Sequence, residues 1–94
     1  GTTEAYLLIS PRAGTARNLR CYLGTAPGGA DTVSITARLN GADTTTTCTI
    51  TGAGQTCSDA SNTAAVSAGD RVSLKAVSSA GTASDLSCSI EVTN

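Results

Sequence analysis

Residues 31–50 read DTVSITARLNGADTTTTCTI, and the fold follows from how that stretch alternates. Between Asp31 and Leu39, Val33, Ile35, Ala37 and Leu39 alternate with Thr32, Ser34, Thr36 and Arg38, which gives an extended strand one dry and one wet face. Asn40-Gly41 follows at once. That pair tolerates positive φ at both central positions of a two-residue turn, so a hairpin is predicted there. In this register the numbers of paired residues sum to 81, setting Leu39 opposite Ala42, Ala37 opposite Thr44, Ile35 opposite Thr46 and Val33 opposite Cys48. Cys48 therefore points inward. The returning strand, Ala42 to Ile50, carries Thr44, Thr45, Thr46 and Thr47 in a row, a β-branched tract that favours extended backbone without supplying core volume.

A second hairpin is predicted at Gly52-Ala53-Gly54. Centred on Gly52-Ala53, it sets Cys48 directly opposite Cys57 in a non-hydrogen-bonded pair, with a Cα separation of about 4.5 Å that a disulfide accepts. Toward the N-terminus, Glu4 to Ser10 is a strand apolar on both faces and ended by Pro11, which suits a strand covered on each side or lying at a subunit contact. Thr15 to Leu23 sets Leu19, Cys21 and Leu23 on one face and Arg20 and Tyr22 on the other; Gly24 to Ala30 is a loop. Toward the C-terminus, a loop at Asp59 to Asn62 leads to a short strand, Ala64 to Ser67, and a turn at Ala68-Gly69-Asp70. Arg71 to Ser78 is a strand with Val72, Leu74 and Ala76 inward, Ser79 to Ala83 a turn, and Ser84 to Val92 a strand with Leu86, Cys88, Ile90 and Val92 on one face. Cys21 and Cys88 remain, both inward, and pair if their strands are neighbours or lie across the core.

Seven or eight short strands at this spacing predict an all-β, antiparallel sandwich stapled by Cys48–Cys57 and Cys21–Cys88. Jelly-roll topology is the preferred version. An immunoglobulin-like sandwich is the runner-up, weakened by the absence of Trp.

Length and composition explain why staples are needed. A chain of 94 residues encloses one core, so residues 1–94 form a single domain, with 1–10 as an inter-subunit contact strand. Thr, Ala, Ser and Gly make up 52 of the 94 residues, whereas Leu, Val and Ile give 16 and Phe, Trp and Met are absent. The core must be thin. Four cysteines in so lean a chain imply two disulfides and an oxidising compartment. Zinc is the rival explanation, but the gaps of 26, 8 and 30 residues contain no C-x2-4-C knuckle and no His exists to complete a site, so no metal is expected. Without Met, the chain's start at Gly1 is expected to arise by cleavage or processing, compatible with a removed secretory signal.

The chemistry that is missing narrows the function. With no His, Ser-His-Asp and Cys-His catalysis are excluded, and the chain reads as non-enzymatic and without a cofactor. Asp31, Asp43, Asp59, Asp70 and Asp85 all sit at strand starts or turns, where Asp binds nearby backbone N–H groups; calcium is the alternative, with no D-x-D-x-D-G spacing to support it. Lys75 reads as a solvated strand residue. Six scattered basic residues against seven acidic ones provide no phosphate-binding surplus, so no nucleic acid is expected. The longest apolar run, Ala5-Tyr6-Leu7-Leu8-Ile9, is far short of the roughly 20 residues of a membrane span. The Thr44–Thr49 tract invites an ice-binding reading, against which the neighbouring strands repeat no Thr-x-Thr rank. Tyr6 and Tyr22 are candidates for stacking a sugar ring.

The stretches PRAGTARNLRCYLGTAPGG (11–29), NGADTTTTCTITGAGQTCSD (40–59) and VSAGDRVSLKAVSSAGTA (66–83) resemble small β-sandwich, jelly-roll modules of bacterial surface, phage-virion and extracellular appendage proteins. They are similar to the jelly rolls of complement-globular-head and exosporium-type domains. The resemblance covers most of the chain, rests on turn and strand-start motifs and carries over no functional residue. It implies an extracellular protein (secreted, cell-surface or virion) that acts by assembling, often as trimers or filaments. Ala5, Tyr6, Leu7, Leu8 and Ile9 are the expected assembly contact, and the partner is a copy of the same chain. The function expected is a structural subunit of a surface filament, or of a virion fibre or decoration. The alternative is a carbohydrate-binding module with a glycan partner.

Overall fold

Asn40 and Gly41 both adopt left-handed φ, 54° and 83°, as a two-residue hairpin turn between twisted strands requires. The computed structural model, which describes residues 1–81, 83 and 85–94, contains eight strands and, among those residues, no helix. They are β1 (Thr2–Ile9), β2 (Gly14–Leu23), β3 (Thr32–Leu39), β4 (Ala42–Thr51), β5 (Thr56–Asp59), β6 (Ala64–Val66), β7 (Arg71–Ser78) and β8 (Leu86–Thr93). Ser84, the predicted start of the last strand, and Thr82, in the predicted turn before it, lie outside the described residues.

The β3–β4 hairpin begins in the predicted register, with Leu39 opposite Ala42, and then slips. Beyond Arg38↔Asp43 the next pairs are Thr36↔Thr47 and Ile35↔Cys48, so β4 carries two extra residues. Thr44 is the physical reason. Its hydroxyl donates to Ala37 O (2.7 Å) and accepts from Thr46 N (3.2 Å), taking hydrogen bonds that the strand ladder would otherwise make. Cys48 thus faces Ile35 rather than Val33. Because the slip is two residues and side chains alternate with period two, Cys48 still points into the core.

All the sheets are antiparallel. One has the order β1-β7-β3-β4. The other is built on β2, which pairs β8 along one side and, on its other side, β6 at Gly14–Ala16 and β5 at Leu19–Tyr22. Apart from β3–β4 and β5–β6, every connection passes from one sheet to the other, a wrapping compatible with a jelly roll. Between the sheets, Leu19 and Leu23 of β2 pack with Val33, Ile35, Ile50, Leu74 and Ala76. A smaller cluster of Ala16, Val66 and Val72 fills the far end.

The second predicted hairpin is corrected by the structure. The chain does turn at Gly52, whose φ is 55°, with Gly54 N donating to Thr51 O at 2.9 Å. It then leaves β4 and joins β2 instead, so β4 and β5 belong to different sheets. The Cys48–Cys57 disulfide is therefore an inter-sheet staple with a Cα separation of 5.7 Å, whereas Cys21–Cys88 joins directly opposed residues of neighbouring strands at 4.1 Å. The predicted partners are correct, and for Cys48–Cys57 the predicted geometry is not.

Loop-closure entropy makes the two bridges unequal, contributing roughly 4.5 kcal/mol for the separation of 67 and roughly 2.5 kcal/mol for that of 9. Replacing Cys21 and Cys88 together by Ser is expected to lower the unfolding free energy, measured in urea, by about twice as much as replacing Cys48 and Cys57. Equal and small losses would contradict this account of the staples.

Candidate functional site

The sandwich is closed along one side and open along the other. On the closed side β4 would be an exposed edge, but β5 and the loop after it cover it. Asp59, only 8% exposed, accepts there from Thr47 N (3.0 Å), Ser61 N (3.0 Å), Asn62 N (3.1 Å) and Asn62 Nδ2 (3.0 Å). Thr46 Oγ1 adds a bond to Asn62 O at 3.0 Å, and the Cys48–Cys57 bridge lies alongside. Asp-x-x-Asn at the end of a strand is readable as a local turn. That one oxygen of the same Asp also ties down an amide of the facing sheet is not.

On the open side lie β1 and β8, each paired on one side only. β1 slips between Tyr6 and Leu8, leaving Leu7 unpaired, so Leu7 and Leu8 both line the opening between the sheets instead of alternating across it. Toward one end a cleft of about 530 Å³ runs between Ala5 and Leu7 of β1, Leu74 and Ala76 of β7, and Leu86 and Cys88 of β8. Toward the other, Leu8 and Arg12 face Val92 across a second hollow. The sequence-predicted contact residues lie together here. Tyr6 is 66% exposed, Leu7 and Leu8 42% each and Ile9 68%, a continuous apolar run on an edge strand, with the exposed Ala5 beside it.

Such an edge is normally blunted by Lys, Pro or an inward charge, and β1 and β8 have none. Their two carboxylates are engaged away from the opening. Glu4 accepts from Arg38 Nη1 (2.6 Å) and from the buried Ser73 Oγ (2.7 Å), and Glu91 accepts from Asn18 Nδ2. Arg38 and Lys75 both approach Asp43, at 3.0 and 2.9 Å, completing a polar cluster on the outer face of the β1-β7-β3-β4 sheet. Lys75, read from sequence as solvated, is thus half-buried and paired, as is Glu4, and that network gave no signal in the sequence.

The same outer face corrects the view that no neighbouring strand repeats the threonine ranks. Thr32, Ser34 and Thr36 of β3 lie opposite Thr51, Thr49 and Thr47 of β4. Four of these hydroxyls bond one another, Ser34 to Thr49 and Thr36 to Thr47, both at 3.0 Å.

The remaining candidates separate cleanly. Tyr6 shares the outer face of the β1-β7-β3-β4 sheet with Glu4, whereas Tyr22 stands on the outer face of the other sheet, so the two tyrosines cannot form one sugar site. Asp70 accepts from Ser67 N (2.8 Å) and Asn40 Nδ2 (2.9 Å), and Asp31 from Ser79 Oγ (3.1 Å). Among the described residues these carboxylates form no group of three able to hold a metal. The sulfurs of Cys21, Cys48 and Cys57 do lie within 4.8 Å of one another, but each is bonded as a disulfide and offers no thiolate. No protein family, no curated protein and no solved structure matches this chain.

Two expected outcomes follow from this geometry. The side-chain bond from Asn62, with backbone bonds from Asn62, Thr47 and Ser61, holds the Asp59 carboxyl far below the usual carboxylate range. The unfolded chain therefore takes up a proton near pH 4 that the folded one refuses, so this stability is present above about pH 4 and is lost as pH falls further. Asp59→Asn should cost about 2 kcal/mol at pH 7 and flatten the fall in urea stability between pH 5 and 2; an unchanged acid limb would contradict the assignment. In Cys88→Ser, the freed Cys21 thiolate can attack Cys57 Sγ, forming Cys21–Cys57 and releasing Cys48 as the thiol, with no outside oxidant. Peptide mapping should find this isomer beside the original bridge, and finding Cys48–Cys57 alone would contradict the proximity of the sulfurs.

Proposed function

We propose that this chain is a non-enzymatic structural subunit that assembles with copies of itself through β1. Tyr6-Leu7-Leu8-Ile9, an uncharged exposed run on a strand paired along one edge only and lying beside an apolar cleft, is the observation that carries the reading. A free edge has a row of unpaired N–H and C=O groups, and a strand of another copy can satisfy it by β-augmentation while covering the apolar side chains. The lean core makes burial at a contact worth more to this chain than to a richly aliphatic one.

The two disulfides fit an oxidising compartment, and no helix is long and apolar enough to cross a membrane. Extracellular assembly, as a surface filament or appendage or as a virion fibre or decoration protein, agrees with both and with the resemblance to modules of that kind.

Tyr6 and Ile9 are the right residues to alter, since their exposed side chains can change without emptying the core. Light scattering behind size exclusion should find the wild type as oligomers or longer polymers, and Tyr6→Lys with Ile9→Lys as a monomer whose melting temperature stays within a few degrees. A monomeric wild type at about 100 μM, or unaltered assembly in the double variant, would overturn the proposal.

A further inference from the structure

The outer face of the β2-centred sheet sets an aromatic and a guanidinium side by side between polar groups that are not used up. Tyr22 of β2 is opposed by Thr56 of β5 and Ser87 of β8, and Arg20, two residues along, by Ser58 and Ser89. A tall aromatic and a guanidinium about 7 Å apart thus stand between two rails of short hydroxyls. All six residues are exposed, and they border a shallow hollow of about 480 Å³. Among the described residues, Arg20 has no ion pair and the four rail hydroxyls have no hydrogen-bond partner, while Tyr22 Oη meets only Gln55 Nε2 at 3.4 Å. Glu91, the carboxylate of β8, is engaged by Asn18. On the other sheet, Glu4, Arg38, Asp43 and Lys75 are paired, Ser34 bonds Thr49 and Thr36 bonds Thr47, and the exposed Arg71 stands opposite Ile9 at the strand end with no flanking rail of hydroxyls.

The floor beneath this face is covalently tied by both disulfides. Between the Arg20 row and the Tyr22 row runs the inward row Cys57–Cys21–Cys88, in which one disulfide ties β2 to β8 and the other ties β5 to the opposite sheet. The bridges fix the spacing of the backbone that carries these side chains, so that the ordering on binding falls on the side chains themselves.

We infer that this face binds an acidic oligosaccharide, with Tyr22 stacking on the apolar face of a pyranose ring, Arg20 pairing bidentately with a ring carboxylate, and the rails exchanging hydrogen bonds with sugar hydroxyls. An exposed aromatic suits a ring that is apolar on one face and polar at its edge. The unpaired guanidinium selects a uronate over a neutral sugar, because a planar fork matches a carboxylate. The inference goes beyond assembly and stands apart from it, since Tyr6 and Ile9 lie on the other sheet.

The test is an amide NMR titration of the 94-residue chain with tetragalacturonic acid, and with maltotetraose as the neutral counterpart. Saturable shifts confined to residues 20–22, 56–58 and 87–89 are expected with the acidic tetramer. Arg20→Gln should weaken binding about tenfold or more. Tyr22→Ala should abolish it, and Tyr22→Phe should retain it because stacking does not need the hydroxyl. The Tyr6→Lys, Ile9→Lys chain should bind as the wild type does, so failure to assemble and failure to bind are read separately. No shifts on this face, equal affinity for the two tetramers, or binding indifferent to Arg20 and Tyr22 would each overturn the inference.

Discussion

Covalent bonding between Cys21 and Cys88, and between Cys48 and Cys57, is the constraint on which the other features of the molecule depend. Few large aliphatic side chains are buried, chiefly Leu19, Leu23, Ile35, Ile50, Val33 and Val72 with Val66 and Leu74, and much of the remaining interior is Ala, Ser, Thr and the cystines themselves. At about 1.5–3 kcal/mol for each such side chain, this core is a weak opponent of the conformational entropy of 94 residues. The bridges act on the other side of the balance by shrinking the unfolded ensemble. They also decide geometry: one locks β8 onto β2, and the other clamps β4 to β5 along the side where the sandwich closes.

Closing one side so firmly sets the character of the other. The capping by Asp59 and Asn62 leaves β4 unavailable as an edge, whereas β1 and β8 keep free backbone on both lips of an apolar cleft. Glu4, the one charge on β1, is drawn outward by Arg38 and Ser73, so no charge of β1 faces the apolar cleft beside Leu7. The two outer faces diverge in the same way. One pairs Glu4, Arg38, Asp43 and Lys75 and bonds Ser34 to Thr49 and Thr36 to Thr47, and the other keeps Tyr22, Arg20 and their flanking hydroxyls for solvent or a ligand.

Local chemistry was legible in the sequence, and long-range pairing was not. Asn40-Gly41 announced its hairpin because few other pairs tolerate two left-handed residues in succession. Inward residues on β3 and β7 were read correctly, since period two survives any even slip of register. The slip itself leaves no mark in the sequence, because the hydroxyl of Thr44 competes with backbone amides and nothing in a run of four threonines shows which one will. The hairpin expected between Cys48 and Cys57 is absent, yet the two still pair, because a tight turn at Gly52 brings them close in either arrangement. The candidate sites divide similarly. Ala5 to Ile9 stood out as apolar on both faces of a strand, but the isolation of Tyr22 from Tyr6 required knowing that β1 and β2 lie in different sheets.

The most direct measurement of the central claim is full reduction with a phosphine at pH 7, followed by alkylation of the four thiols and a two-dimensional amide spectrum of the product. Loss of the dispersed spectrum, in a protein that had no alkylatable thiol before reduction, is the result expected if the cystines hold a core too lean to stand alone. A fully alkylated chain that keeps its dispersed spectrum and its melting temperature would contradict the account.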